Sequence, residues 1–276
     1  MEIAVTGGNG RLGGVVIRQL VAQGHTIRSL DWKDPQVPFA PGSPVTIHIL
    51  DLMDLPRLTD TIRGCDAVIH LAAYPGPDGH PPGVVYNNNT MASYNVLYAA
   101  SALGILKVSQ ASSINALGGI GSRIGIFDYF PVDEKHSTYN MDDYSLSKWV
   151  MEIQADSFAR RFPEMTISSL RFHALPDETP EPQNSLDTVD KPAARNLWGW
   201  TLMSEAARSC GLAVQARFKG HEIFFITAPR TNSLIPSVEL AQFAYPDVPI
   251  RGDLSGRRSF YDCSKAARLL GWVHSV

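Results

Sequence analysis

The first half of the chain alternates short apolar runs with stretches of helical periodicity. Apolar and β-branched residues predict six strands, at residues 2–6, 26–31, 45–50, 66–72, 106–112 and 166–172. Between them, apolar residues at three- and four-residue spacing predict helices over residues 11–23, 84–103 and 142–161. The run 66–72 is apolar at nearly every position, which is typical of a strand buried on both faces of a parallel sheet.

Strands that alternate with helices predict right-handed βαβ units, and hence an α/β fold with a doubly wound parallel sheet of the Rossmann type. After residue 172 the pattern changes: residues 175–194 are rich in Pro, Asp and Glu, without periodicity, and predict a loop or lid. A helix (201–216), a strand (222–226) and a second helix (264–270) follow. We expect a sheet domain from residues 1–172 together with 201–228, and a small C-terminal lobe from 173–200 and 229–276.

Composition and charge argue against several classes of protein and of binding partner. The 276 residues are 44% hydrophobic and 18% charged, which is ordinary for a globular protein. A formal charge of −3, with no long single-sign run, disfavours nucleic acid or an anionic membrane as partner. Three separated cysteines predict free thiols in a reducing compartment, and the first strand begins almost at Met1, so we expect a cytoplasmic protein without a signal peptide. No His/Cys/Asp cluster has metal-ligand spacing.

A glycine-rich loop lies between the first strand and the first helix. Gly7 can take the tight turn, Gly10 lets the backbone approach a pyrophosphate, and Gly13 allows close packing of helix on strand. The helix N-terminus adds unpaired N–H groups and a partial positive charge. The sequence therefore predicts a dinucleotide site at Gly7, Asn9, Gly10, Arg11, Leu12 and Gly13; the alternative is a loop that is glycine-rich for turn geometry alone.

Acidic residues follow the second and third strands. A carboxylate at Asp31 can accept hydrogen bonds from ribose hydroxyls and would repel a 2′-phosphate, so NAD is preferred over NADP. Arg11 and Lys33 are nearby cations that weaken this preference, and a solvated strand-end Asp is the alternative. Asp51, followed by Leu52, is a candidate for the adenine side of the site or for a helix N-cap, and Asp54 is the better N-cap candidate.

Tyr144 and Lys148 are spaced four apart on the predicted helix 142–161, which places them on one face, one turn apart. An ammonium near a phenol lowers its pKa, and a tyrosine so tuned can exchange a proton with a substrate hydroxyl. Ser112 and Ser113 close the fifth strand at the carboxyl edge of the sheet, where ligands bind in open α/β folds. Either hydroxyl can contact the reacting oxygen.

At these positions the sequence resembles the extended short-chain dehydrogenase/reductases, the NAD-dependent epimerase/dehydratase family. The resemblance covers most of the chain. It rests on the glycine loop at 6–13, Asp51-Leu52, His70–Ala73, Asn89 and Asn95, Ala111–Ser113, Tyr144–Lys148, Leu170-Arg171 and 264–272.

The resemblance implies roles for these residues. Ser113 polarises the substrate and Ser112 has a structural or cofactor contact; Tyr144 is the acid/base, and Lys148 binds the nicotinamide ribose as well as tuning the tyrosine. Leu71, Ala72 and Ala73 line the cofactor, Asn89 supports local geometry near the active site, and two helices on one face of the sheet often pair into homodimers in this family.

Residues around the site narrow the choice among the reactions that this family catalyses. Ile114-Asn115 replaces the Asp-Glu pair of the family's dehydratases, and the short lobe favours a small substrate over a nucleotide sugar. Ala111–Asn115 and Arg195 resemble uronate dehydrogenases, in which an arginine at this place grips a carboxylate; a lid arginine on the surface is the alternative. The substrate candidates are Tyr74, His80, Ser113, Asn115, His173 and Arg195.

We expect an NAD-dependent oxidoreductase acting on a secondary alcohol or lactol of a small, polar, sugar-like substrate. An epimerase with retained NAD and a non-catalytic NAD(P)-sensing regulator remain the alternatives.

Overall fold

A seven-stranded parallel sheet forms the centre of the molecule. The computed structural model describes residues 1–76, 79–81, 83–119, 122–123, 125–182 and 194–276. The strand order is β3-β2-β1-β4-β5-β6-β7, and every neighbouring pair is parallel. The predicted fold class, a doubly wound α/β sheet, is confirmed.

The strands are β1 (Glu2–Thr6), β2 (Thr26–Asp31), β3 (Val45–Ile49), β4 (Ala67–His70), β5 (Lys107–Ser113), β6 (Thr166–Phe172) and β7 (Gly220–Ile226). The helices described are α1 (Arg11–Ala22), α2 (Leu55–Ile62), α3 (Val84–Ala102), α4 (Asp143–Arg161), α5 (Met203–Gln215), α6 (Ser237–Ala244) and α7 (Ser264–Leu270), with a 3₁₀ turn at Ile114–Leu117.

The prediction missed two short helices. Helix α2 has eight residues and begins after Asp54, whose carboxylate accepts a hydrogen bond from the Arg57 N–H at 3.1 Å. Asp54 is therefore an N-cap, as predicted, but the helix behind it is too short to show clear periodicity. Helix α6 also has eight residues. The fourth strand is shorter than predicted and ends at His70, so residues 71–73 lie in the loop beyond the sheet.

Two apolar layers cover the faces of the sheet. Helices α1 and α5 pack on one face, around Val16, Ile17 and Cys210, and α2, α3 and α4 pack on the other, around Leu58, Val96 and Phe158. The last helix, α7, was expected in the small lobe, but its Ala266 and Leu270 belong to the α1/α5 layer.

A third apolar cluster lies beyond the carboxyl edge of the sheet. It joins the 3₁₀ turn after β5 to segments from residues 127–132, 197–198, 240–241 and 254–261. The strand order reverses between β1 and β4, because the chain runs outward to β3 and then returns to β4. In open α/β sheets the crevice for ligands forms outside the carboxyl ends of the strands at such a reversal.

Candidate active site

The glycine loop packs directly against the loop that follows β4. Gly7 has φ +67°, and a Cβ built there would lie 2.6 Å from the backbone nitrogen of Ala72. A Cβ on Gly13 would lie 2.1 Å from the Gly7 carbonyl oxygen. Side chains are thus excluded where the loop turns and where α1 packs under it. Gly10 caps α1 without any side-chain hydrogen bond, so the first-turn N–H groups remain available to an anion.

Asp31 fixes the glycine loop from the end of β2. Its carboxylate accepts hydrogen bonds from the Asn9 N–H at 3.1 Å and from the Trp32 N–H at 2.8 Å. The side chain of Asn9 accepts a hydrogen bond from the Ser29 hydroxyl and donates one to the Lys33 carbonyl. Asp31 therefore stabilises the glycine loop by these hydrogen bonds. The contact with ribose hydroxyls that the sequence predicts for it stays a prediction.

The two cations near Asp31, Arg11 and Lys33, have different partners. Arg11 forms an exposed ion pair with Asp177 at 3.1 Å. The ammonium of Lys33 lies 5.7 Å from the ring centroid of Trp32. Trp32 itself is 71% exposed, which leaves a large aromatic surface beside Asp31.

The turn after β3 brings Asp51 and Leu52 to the same edge of the sheet. The Asp51 carboxylate accepts a hydrogen bond from the Met53 N–H at 2.9 Å, an Asx turn rather than a helix cap. The carbonyl of Leu52 accepts a hydrogen bond from the Asn95 amide of α3 at 2.8 Å. Asn95 therefore holds the turn, a role that its place in the family pattern did not specify.

Asn89 connects the loop after β4 to α4. Its amide exchanges two hydrogen bonds with the backbone of Tyr74, at 2.9 and 3.1 Å, and also donates to the Ser147 hydroxyl at 3.1 Å. Leu71, Ala72 and Ala73, the predicted cofactor contacts, lie half-buried in the loop that Asn89 holds. Asn89 therefore acts on the geometry of the site through protein contacts.

Ser113 and Tyr144 are neighbours at the end of β5. The Ser113 oxygen accepts a hydrogen bond from the Asn115 N–H at 3.1 Å, which leaves its hydroxyl proton for another acceptor. Burial raises the pKa of Tyr144, and the hydrogen bond with Ser113 acts in the opposite direction. Two of the predicted catalytic side chains are therefore close enough to affect one another electrostatically.

Lys148 lies one turn further along α4. Its ammonium donates to the Ala111 carbonyl at 2.6 Å and lies 5.7 Å from the ring centroid of Tyr144. Burial lowers the pKa of Lys148 to about 8, and the carboxylate of Glu152 opposes this shift. The expected lowering of the tyrosine pKa by Lys148 does not appear: in the protein alone, burial determines the direction for Tyr144.

Ser112 has a different environment from Ser113. Its hydroxyl donates to Glu152 at 2.6 Å, and Glu152 is held by Arg171 at 2.9 and 2.7 Å in a buried bidentate pair. The Ser112 hydroxyl is committed to this network, as the family resemblance implied for the first serine of the pair. The network fixes the end of β5 against α4 and β6.

His70 closes β4 beneath the site. Its Nδ1 lies 2.7 Å from the Thr6 hydroxyl, and burial, followed by the charge of Lys148, lowers the pKa of His70 to about 3. The imidazole is therefore neutral at ordinary pH and serves as a buried link between β1 and β4.

Asn115 and Arg195 approach the same loop. A Cβ on Gly119 would lie 2.6 Å from the Asn115 side-chain oxygen and 3.6 Å from the Arg195 carbonyl oxygen. The Arg195 guanidinium donates to the carbonyl of Ser122. The structure therefore brings the Asn115 side chain and the Arg195 backbone to the same glycine, although the two residues are 80 apart in the chain.

The two histidine candidates differ in what they contact. His173 accepts a hydrogen bond from the Ala174 N–H at Nδ1 (2.6 Å), and its Nε2 lies 3.0 Å from the Asn196 carbonyl oxygen. Both ring nitrogens are engaged by backbone groups, which favours a structural role for this residue. His80 is exposed, with its ring centroid 4.0 Å from that of Tyr74, so these two candidates form a small aromatic pair at the rim.

The comparisons with known proteins agree with this geometry. The model of the NAD dependent epimerase/dehydratase family matches residues 3–184, which is more than half of the chain. The chain belongs to the NAD dependent epimerase/dehydratase family. The match ends within the predicted lid, of which residues 183–193 lie outside the described part of the chain.

Relatives within this family carry different activities. The chain is 25% identical to a dTDP-6-deoxy-L-talose 4-dehydrogenase (NAD(+)) of Aggregatibacter actinomycetemcomitans over 63% of its own length and 62% of that protein. It is 28% identical to a putative dihydroflavonol 4-reductase of Synechocystis over 98% of the chain and 90% of that protein. A match to GDP-mannose 3,5-epimerase 1 of Oryza sativa, at 33% identity, covers 41% of the chain and 31% of that protein. The chain thus spans less than two thirds of the length of the first and third of these relatives.

Solved structures share the fold over the whole chain. A UDP-glucose 4-epimerase of Thermotoga maritima superposes with a TM-score of 0.72 at 20% identity, covering 100% of this chain and 94% of that one. A mutated uronate dehydrogenase gives a TM-score of 0.68 at 21% identity, covering 100% and 82%. At these identities the likeness is one of fold.

The described residues contain neither a membrane-spanning helix nor a metal-binding cluster. None of their helices combines the length and apolar character that crossing a bilayer would require. Within the same residues, no group of three or more His, Cys, Asp or Glu side chains is arranged to hold a metal ion.

Proposed function

We propose that this protein is an NAD-dependent oxidoreductase that removes a hydride from a secondary alcohol or lactol of a small, polar, sugar-like substrate, or returns it. The observation that carries the proposal is the proximity of Ser113 to the Tyr144 phenol, next to the buried ammonium of Lys148. These three groups lie at the carboxyl edge of the sheet, the same edge that carries the glycine loop.

The residues of the cofactor site fit NAD. The contacts made by Gly7 and Gly13 leave no room for side chains, and the first turn of α1 offers N–H groups to a pyrophosphate. The carboxylate of Asp31 favours a ribose with free hydroxyls over one with a 2′-phosphate. When bound, NAD supplies the hydride acceptor, and the protein supplies positioning and proton transfer.

The proton chemistry follows from the Ser113–Tyr144 pair. Because Ser113 accepts from the Asn115 N–H, its own proton is directed at an oxygen in the site and can polarise a substrate oxygen there. Tyr144 takes the proton of the substrate hydroxyl. Burial raises the pKa of Tyr144 in the protein alone, so this transfer needs nearby positive charge, which the Lys148 ammonium provides if its pKa of about 8 keeps it protonated.

A sugar epimerase is the second candidate, because relatives in the same family include GDP-mannose 3,5-epimerases. An epimerase would use the same three residues and retain its NAD. A non-catalytic NAD(P) sensor is disfavoured by the intact Ser113, Tyr144 and Lys148.

The proposal includes a cytoplasmic homodimer. Large apolar side chains are exposed on the outer surfaces of α3 and α4: Met91, Tyr94, Tyr98 and Ile153 are 38–47% exposed. Helices α3 and α4 pack side by side, so these side chains can form a joint apolar surface for a second copy of the chain.

The deciding experiment screens purified protein with NAD⁺ and NADP⁺ against uronic acids, aldoses and simple alcohols, following the absorbance of reduced nicotinamide. Net NADH supports the dehydrogenase, whereas substrate interconversion without net NADH supports the epimerase. Tyr144→Phe should lower kcat by about 10²–10⁴-fold, with the Kd for NAD⁺ unchanged. Tyr98→Phe, on the exposed face of α3, is the matched control. A substrate turned over equally by both variants would refute the role of Tyr144.

A further inference from the structure

The segment from residue 194 to residue 200, here called the Arg195 strap, has an unusual backbone. Leu197 and Trp198 have φ values of +58° and +50°, the left-handed region that favours glycine. Both side chains are buried, with 0% and 2% of their surface exposed. Two consecutive bulky residues keep this conformation only if the surrounding structure holds it.

The strap is held through alternate carbonyl groups. Those of residues 194, 196, 198 and 200 each accept a hydrogen bond from outside the strap. The donors are the Tyr245 hydroxyl at 2.8 Å, the Tyr261 hydroxyl and His173 Nε2 both at 3.0 Å, the Asn232 N–H at 2.9 Å, and the Ala228 N–H at 2.8 Å. Among these four carbonyl groups, that of Asn196 is bonded by two side chains, Tyr261 and His173.

The protonation states of these side chains suit their role as donors. Burial lowers the pKa of His173 to about 4, and its Nδ1 accepts from the Ala174 N–H, so the single proton of the neutral ring lies on Nε2. Burial raises the pKa of Tyr261, which keeps its hydroxyl protonated.

The rings of His173 and Tyr261 also enclose the strap sterically. A Cβ on Gly199 would lie 2.8 Å from the His173 ring and 3.0 Å from the Tyr261 ring. On its other side, the strap lies against the loop after Ser113. A Cβ on Gly125 would lie 3.5 Å from the Arg195 Cα, and the Arg195 guanidinium bonds the Ser122 carbonyl.

We propose that Tyr261 and His173 are positioning residues that hold the Asn196 carbonyl, and with it the strained strap, so that Arg195 is set in advance beside Asn115 on the substrate side of the site. This inference rests on the proposed function. It reassigns His173 from substrate contact to support of the strap, and it adds Tyr261, which contacts no catalytic residue directly.

Tyr261→Phe tests the proposal because it removes one hydroxyl and keeps the ring that packs on Phe225, at 5.2 Å between centroids. We expect KM for the substrate found in the screen to rise about tenfold, with kcat changed less than threefold and the Kd for NAD⁺ unchanged. Tyr129→Phe is the matched control, since its hydroxyl also bonds an acceptor, Asp133, in an outer loop.

Amide hydrogen exchange provides a readout that needs no substrate. The N–H groups of Leu197, Trp198 and Gly199 all bond within the strap, to the Ala194 carbonyl and to the carbonyl and side chain of Asn196. Their exchange should accelerate at least tenfold in Tyr261→Phe and not in Tyr129→Phe. If the screen finds no substrate, the proposed function fails while this measurement still decides whether Tyr261 holds the strap.

A second variant adds bulk instead of removing a bond. Gly199→Ala should displace both rings and accelerate the same amides, whereas Gly211→Ala, whose Cβ meets only ordinary contacts at 3.5 Å, should not. Unchanged exchange in both Tyr261→Phe and Gly199→Ala would overturn the proposal. So would accelerated exchange together with an unchanged KM.

Discussion

The glycine loop and the Arg195 strap use the same left-handed backbone in opposite ways. Gly7 reaches φ +67° at little cost, because glycine has no Cβ. Leu197 and Trp198 reach +58° and +50° with large side chains, at about 1–2 kcal/mol each. The glycine loop is shaped by its own sequence, whereas the strap depends on donors from residues 173, 228, 232, 245 and 261.

This difference separates the proposed cofactor side, which is encoded locally, from the proposed substrate side, which is assembled from distant parts of the chain. A change within the glycine loop should therefore act directly on ligand binding. A change in a residue that donates to the strap carbonyls should act on ligand binding indirectly, by loosening the strap backbone. Its effect should depend on conditions, such as pH, that alter those donors.

The largest effect is expected from filling the glycine loop. Gly13→Ala places a methyl group 2.1 Å from the Gly7 carbonyl oxygen, so the loop must shift, and the Kd for NAD⁺ should rise at least about 100-fold. Gly14→Ala is the matched control, since its Cβ would approach only the mobile end of Arg18, at 3.0 Å. Calorimetric titration with NAD⁺ measures both, and equal affinities would show that the loop tolerates side chains.

An intermediate effect is expected from pH on the strap side. Burial lowers the pKa of His173 to about 4, against an unfolded value near 6.5. As the pH falls below 6.5, the unfolded chain takes up a proton that the folded protein refuses. The free energy of unfolding should therefore fall by about 1.4 kcal/mol per pH unit from this residue, until the pH reaches about 4.

The contribution of His173 can be isolated by comparing urea unfolding of the wild type with His173→Asn between pH 7 and pH 4.5. The variant is less stable at pH 7 and should show the shallower slope. His70, with its pKa lowered to about 3 by burial and Lys148, adds a similar slope to both proteins. Identical slopes would mean that the pKa of His173 is the same in the folded and unfolded states.

The smallest effect is expected at Asp31. Asp31→Asn keeps an oxygen for one of the two backbone N–H groups but removes the charge, so the ratio of NADP⁺ to NAD⁺ affinity should rise about tenfold. Asp60→Asn, which removes the charge of an exposed carboxylate paired with Arg63, serves as the control. An unchanged ratio would mean that groups other than Asp31 set the preference between NAD⁺ and NADP⁺, and Lys33 would be examined next.

The elements that the sequence predicts correctly are those whose pattern lies within one short segment of the chain. Strands β1, β2 and β6 begin and end where the sequence predicts, because their apolar runs are bounded by polar residues or glycine. Tyr144 and Lys148 could be paired from their spacing on one helix. Asp54 could be recognised as a cap, although the helix α2 behind it was missed.

The remaining part involves contacts that no local pattern reveals. Tyr261 lies 65 residues from the Asn196 carbonyl that it holds, and its hydrogen bond has no sequence signature. The direction of the Tyr144 pKa was missed for a related reason, since the spacing to Lys148 shows the charge and not the depth of burial. The sequence predicts His173 as a substrate contact, whereas in the structure both of its ring nitrogens face backbone groups.

Asn89 has a consequence for the order of events during turnover. Its single amide binds the Tyr74 backbone on one side and Ser147 of the catalytic helix on the other. We expect a ligand that settles against the loop after β4 to act, through Asn89, on the helix that presents Tyr144. We expect the dinucleotide to enter before the second reactant and to leave after it, a compulsory sequence that product-inhibition patterns would reveal.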